Sequence, residues 1–244
     1  MTRLLHSEWL KIRTTRTIVW YLLSLVVLVG IAVAGQVANA PDFVLESEEG
    51  FIDTLEASTA ATFFTLLFGI IGITGEYRHE TITHTFLATP VRERVVVAKV
   101  LMYAAAGLLL GLFAVLLTFA MALPWLAAKN ADPTLLERDV GLFLVGVLAT
   151  ATLWGALGSA FGSVVPTQVG AIVIALIWLL IVENLVAGLL PEVAPYTPGG
   201  AARGLMRVDG EDVLPMWSAA AVTAGYVIAL AGLGARLVIR RDVT

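Results

Sequence analysis

The chain has no cysteine, which excludes disulfides, thiolate metal sites and thiol nucleophiles. It has three histidines, His6, His79 and His84, and none lies in an apolar run. A serine protease working inside a membrane would therefore lack a base, so Ser159 in Gly158-Ser159-Ala160-Phe161-Gly162 reads as small-residue packing. His79-Glu80 followed by His84 is not a zinc-protease motif, because its histidines stand five apart where the metal needs i, i+4. No G-x-x-x-x-G-K-[ST] occurs, so the chain has no phosphate-cradling loop. Charge is scarce too: Asp, Glu, Lys and Arg make up 14% of the residues, against about 25% in soluble proteins. The net charge of −4 argues against a nucleic-acid partner.

What the chain has instead is apolar surface. The apolar set reaches 59% of 244 residues, and the mean hydropathy is +0.90. A helix crossing the hydrocarbon core needs about 20 mostly apolar residues. Six such runs occur, at roughly 17–38, 57–75, 95–126, 140–161, 169–190 and 216–239, and none alternates as a barrel strand would. The expected fold is an all-α polytopic membrane protein forming a single transmembrane domain. Ala38-Asn39-Ala40 mimics a cleavage site, but the run before it is too long for a signal peptide and is read as a retained span.

Lys and Arg near the span ends set the orientation. Arg3, Lys11, Arg13, Arg16, Arg78, Arg92, Arg94, Lys99, Arg236, Arg240 and Arg241 fall on one side, and Lys129, Arg138, Arg203 and Arg207 on the other. This bias puts both termini in the cytoplasm of a cell or inner membrane. The first external stretch, 41–56, carries six acids and no base; it reads as a solvated loop or as a mouth that concentrates cations.

Three segments outside the spans have character. Over 2–16, Leu5, Trp9 and Ile12 recur at i, i+4, i+7 among basic and polar residues, which predicts an amphipathic helix lying in the inner leaflet. Trp9 and Lys11 would anchor it at the headgroups. The cytoplasmic stretch 76–94 spaces Ile82 from Phe86 and Thr83 from Leu87 by one turn, and Pro90 ends any helix there. Exposed Phe86 and Leu87 need a surface to cover them, either membrane or protein. The Pro- and Gly-rich stretch 191–215 fits either an external loop or a re-entrant segment.

Within the spans, Ser58, Thr62, Thr65, Gly69 and Gly72 form one small or hydroxyl-bearing stripe, which Glu76 extends. It suits a tight helix–helix seam or the wall of a translocation path. Gly107 with Gly111, and Gly155 with Gly158 and Gly162, are close-approach faces. Glu183 is the lone carboxylate inside a run and is followed by Asn184. Such an acid either satisfies a neighbouring helix or serves a substrate or a gate.

Ser7-Glu8-Trp9-x-Lys11-x-Arg13-Thr14-x-Arg16, and Gly75-Glu76-Tyr77-Arg78-x-x-Thr81-Ile82 followed by Pro90, Arg92, Arg94 and Ala98-Lys99, resemble signatures of the permease subunits of ABC transporters of the type-2 export class. The likeness covers nearly the whole chain, with Glu80 standing where that family often has glycine. The resemblance implies that 76–94 contains a coupling helix docking on a separate ATP-binding cassette subunit through Glu76, Arg78, Thr81, Phe86 and Leu87. It implies that Arg92, Arg94 and Lys99 anchor the start of span three at the inner interface. It also implies a second permease copy or paralogue, ATP and Mg held by the partner ATPase with no cofactor or metal on this chain, and no catalytic residue here. Ser58, Thr62, Thr65, Glu183 and Asn184 are then candidates for the substrate path. Rival readings are an ion-coupled secondary carrier, which usually shows repeats and several intramembrane ionisable groups, and a non-transporting scaffold subunit.

Overall fold

Six helices in the computed structural model are long and apolar enough to cross a membrane: Ile18–Asn39, Glu49–Arg78, Arg92–Ala128, Arg138–Val164, Gln168–Leu189 and Met216–Ile239. They are spans one to six below. The structure describes residues 2–15, 17–45, 47–79, 81–83, 85, 91–129, 138–208 and 213–240, with no strand among them. The fold is all-α, and each apolar run of the sequence coincides with one of these helices, overrunning it nowhere by more than one residue. Phe86, Leu87 and Pro90 lie outside the described residues.

Spans two and four form the centre of the bundle, and glycine is the reason they can. Gly69 faces the backbone of Gly155 and Ser159, and a methyl at Gly158 would overlap the Leu66 carbonyl. In an apolar solvent, helices gain from this backbone approach through dispersion rather than through the hydrophobic effect. The hydroxyl stripe follows the same seam. Ser58, Thr62 and Thr65 are buried, with Ser58 donating to the Leu55 carbonyl and Thr65 to that of Thr62. In this structure Ser58, Thr62, Thr65 and Gly69 of the stripe are enclosed by protein.

Spans one and five carry the least protein on their flanks, leaving Trp20, Ile31, Leu180 and Leu185 exposed as suits a lipid-facing surface. Span three runs 37 residues, Arg92–Ala128. At 1.5 Å per residue that is about 55 Å, well beyond a hydrocarbon core of about 30 Å.

Four local features depart from expectation. The N-terminal helix, Thr2–Thr14, forms as predicted, but it buries Glu8 and Ile12 against the bundle and leaves Trp9 exposed. The protein-facing side therefore runs through Leu4, Glu8 and Ile12 and shares only Ile12 with the Leu5-Trp9-Ile12 stripe, because the Glu8 ion pairs add to the apolar contacts of Leu4 and Ile12. The acidic stretch 41–56 is no loop: it folds as two short helices, Asp42–Leu45 and Glu48–Leu55. Ser47 caps the second by accepting from the Gly50 amide, while Leu45, Phe51 and Leu55 are buried. Span five is interrupted by a π-helical turn, Trp178–Val182, directly before Glu183.

The fourth is an oblique helix, Pro198–Met206, inside the stretch 191–215. Thr197 caps it by accepting from the Gly200 amide, Pro198 occupies its first turn, and Arg207 ends it in the left-handed region at φ 56°. It packs between spans four and six; at its far end Leu205 and Met206 press on Gly146, and Arg207 pairs with Asp139 at 2.6 Å. Its first turn meets Glu183, six residues or about 9 Å before the end of span five.

Candidate functional site

The charge that this chain rations so strictly is concentrated at the Lys/Arg-rich end of the bundle. Glu8 on the N-terminal helix, Glu76 near the end of span two and Lys99 two turns into span three converge there with Lys11. The Lys99 ammonium donates to Glu8 Oε2 and to Glu76 Oε1, both at 2.7 Å. Lys11 donates to Glu8 Oε1 at 2.6 Å and to Glu76 Oε1 at 2.7 Å. Two carboxylates and two ammonium groups cancel, so the cluster is neutral as a unit.

Its burial makes it more than a surface network. Lys99 and Glu8 are each 1% exposed, and Glu76 is also buried. Desolvating ions is costly, and their mutual attraction repays that cost only where geometry is good and the remaining hydrogen bonds are made. Lys11 closes the open side and stays half in solvent. Burial works against its charge, but hydrogen bonds to Glu76 and Glu8 outweigh that and hold the ammonium above its ordinary value.

The segment leaving span two is tied into the same hub. Thr81 N–H donates to the Glu76 carbonyl at 3.0 Å, and the Thr85 hydroxyl accepts from Lys11 at 3.4 Å. Ile82 is buried with Val95, Val96 and Val238, against Leu4 and Tyr77. Four elements therefore grip the start of this segment: the N-terminal helix and spans two, three and six. Two arginines extend the collar. Arg78 donates to the Gln168 side chain at 3.2 Å, at the start of span five, and Arg92 donates to the Val238 carbonyl at 3.2 Å, near the end of span six.

The candidate residues are therefore sorted by the structure. Glu76, Arg78 and Thr81 stand together at this hub, with Thr81 exposed beside it. Lys99 is corrected: with 1% of its surface exposed it cannot reach headgroups, and it anchors span three to protein carboxylates instead. Lys11 likewise turns toward the cluster, whereas Arg94 and Trp9 stay exposed where lipid headgroups could meet them. Glu8 went unassigned in the sequence. The available signal was an acid one turn from Ile12 and three residues before Lys11, on a helix that otherwise has only bases.

At the opposite end, Glu183 accepts from Trp178 Nε1 at 3.0 Å across the π turn, and from the Gly199 amide at 2.8 Å. It thus holds the first turn of the oblique helix and not a neighbouring span. Asn184 is exposed and donates to the Leu180 carbonyl of its own helix. Among the described residues there is no group of three or more His, Cys, Asp or Glu side chains fit to hold a metal.

Fold and site together define an all-α, multi-pass membrane protein with a buried, neutral ion cluster at one end of its bundle. Comparison with protein-family models and with curated proteins finds no match.

Proposed function

We propose that the chain is the permease subunit of an ATP-driven exporter of the ABC type-2 class, working with a separate ATP-binding cassette subunit and a second permease copy or paralogue. The observation that carries this reading is the ion cluster. Glu76 and Lys99 bracket the stretch assigned to coupling, and both are tied to the N-terminal helix, Glu76 through Lys11 and Lys99 through Glu8. A push on that stretch from a cytoplasmic partner would pass into the N-terminal helix and span three together, because the cluster joins them more stiffly than a loop could. ATP and Mg belong to the partner, since this chain has no phosphate loop.

The test is co-expression with a soluble ABC ATPase encoded beside the gene. The expected results are co-purification, stimulated ATP hydrolysis, and no nucleotide binding by the isolated chain above that of an unrelated membrane protein. Transport driven by a proton or sodium gradient in vesicles free of any ATPase would overturn the proposal in favour of a secondary carrier.

A further inference from the structure

Span five joins two halves that the bundle holds very differently. Its inner half, Gln168–Ile177, is anchored: Ala171 and Ala175 are buried, and the Gln168 side chain accepts from Arg78 at 3.2 Å. From Trp178 to Leu189 no residue is buried. The π turn Trp178–Val182 stands at the junction of the two. Such turns are rare and occur mostly as single turns inside α-helices, frequently at functional sites. A cavity of about 250 Å³ lies behind Trp178, Leu179 and Pro198, so the junction is not packed solid from within.

One pair of residues closes the turn twice. The Glu183 amide donates to the Trp178 carbonyl in the π register, and Trp178 Nε1 donates back to Glu183 Oε1 at 3.0 Å. In an α-helix, side chains five residues apart point about 140° away from each other, so the indole–carboxylate bond belongs to the π register. The same Oε1 accepts from the Gly199 amide at 2.8 Å. The oblique helix that carries Gly199 is a fixed post. Arg207 pairs with Asp139 at its far end, and the Tyr226 hydroxyl donates to the Tyr196 carbonyl just before its start.

We propose that the outer end of span five, 183–189, is a gate with two registers, and that Glu183 latches it in one of them. The π turn carries one residue more than the α turn it replaces. Relaxing it to α rotates everything beyond it by about 100° and advances it by about 1.5 Å. Val182 then takes the place of Glu183 and offers the Gly199 amide no acceptor. Glu183 takes the exposed place now held by Asn184. Because no side chain beyond Ile177 is buried in this helix, the rotation breaks no packed core. What holds the π register is the pair of hydrogen bonds to Glu183 and the cost of turning a carboxylate into apolar surroundings. The gate is a property of this chain alone and does not rest on the ATP-coupled reading.

The experiment measures a distance in the full chain in lipid nanodiscs. The chain has no cysteine, so Leu185→Cys and Trp217→Cys, both at exposed positions, carry the only two spin labels. On a helix of about 5–6 Å radius, a rotation of about 100° moves a side chain by about 8 Å. The parent should show one dominant distance, and Glu183→Gln, which keeps an oxygen for both donors, should match it. Glu183→Leu removes the acceptor and should bring in a second distance. Deleting Ile181 takes the extra residue out of the turn, so Glu183→Leu made in that background should return to the parent's distance. Trp178→Phe keeps a ring but loses the donor; it should speed amide exchange over 198–200 at least about tenfold, the worth of one hydrogen bond to a charged group. An unchanged single distance in Glu183→Leu, a second distance that survives the deletion, or unchanged exchange in Trp178→Phe overturns the proposal. Should the deletion variant not stay monodisperse, Glu183→Leu and Trp178→Phe decide the matter alone.

Discussion

Replacing Lys99 with methionine would keep most of the side-chain volume and remove one charge. Glu8 and Glu76 would then share Lys11 alone, leaving the cluster with a net charge of −1 in a site where Glu8 is 1% exposed. Removing one partner from a buried ion pair costs about 3–5 kcal/mol, most of it the burden of the charge left behind. At about 2–4 °C per kcal/mol for a chain of this size, Tm should fall by roughly 6–20 °C. Lys11→Met is the internal control. Its side chain is 43% exposed, so its pairs are screened and their loss should cost about 1 kcal/mol or less. The double variant Glu8→Gln/Lys99→Met restores neutrality, with Lys11 and Glu76 still paired, and should recover much of the loss. A thermal-unfolding cycle over the parent, Glu8→Gln, Lys99→Met and the double variant in detergent measures this coupling. If Lys99→Met melts within about 2 °C of the parent, or if the double variant is worse than the sum of its parts, the cluster does not hold the three helices together.

The other predictions concern single positions. Glu183→Gln keeps an oxygen to accept from Trp178 and Gly199 and should leave stability and transport near normal, whereas Gly199→Ala, whose methyl would overlap that carboxylate, should free the oblique helix and speed amide exchange over 198–206; equal behaviour of the two variants would refute the latch. Phe86→Asp should abolish co-purification with the ATPase while membrane insertion persists, and normal assembly would remove this residue from the docking surface. Because the Lys11 ammonium is held above its ordinary value of 10.5, its tether is complete below that pH and weakens only as pH rises through the higher folded value. Protease protection of the N-terminal helix should therefore stay flat across neutral and mildly alkaline pH; release near pH 8 would contradict the pairing.

The spans were legible because length and hydropathy alone decide them; boundaries moved by only a few residues except at span two, whose helix reaches back from 57 to Glu49. What escaped the sequence were the places where polar groups turn inward. Amphipathic reasoning sends Glu8 and Lys99 outward to water or headgroups, and only tertiary structure shows that each is the other's counter-ion across 91 residues. The oblique helix did carry a signal, a Thr cap followed by Pro at the first helical position, but the surrounding prolines and glycines fit an external loop or a re-entrant segment equally. The π turn had none: Trp178-Leu-Leu-Ile-Val182 is an unremarkable apolar helix segment. Of the hub, Glu76, Lys11 and Lys99 were visible as residues, but not as one unit.

The wide separation of Glu8 and Lys99 also orders the protein's biogenesis. The N-terminal helix leaves the ribosome before span three, so its seat does not exist until span three has been synthesised and inserted. Until then Glu8 has only Lys11, its neighbour on one helical turn, which Glu76 of span two also engages. Burying Glu8 without Lys99 would strand a carboxylate in apolar surroundings, so the early chain keeps this helix at the aqueous boundary. Arrival of Lys99 lifts that penalty and lets the helix dock, in the same step that fixes spans two and three side by side. A helix made before span three is thus seated only after it, and its docking reports that half the bundle is already correctly threaded.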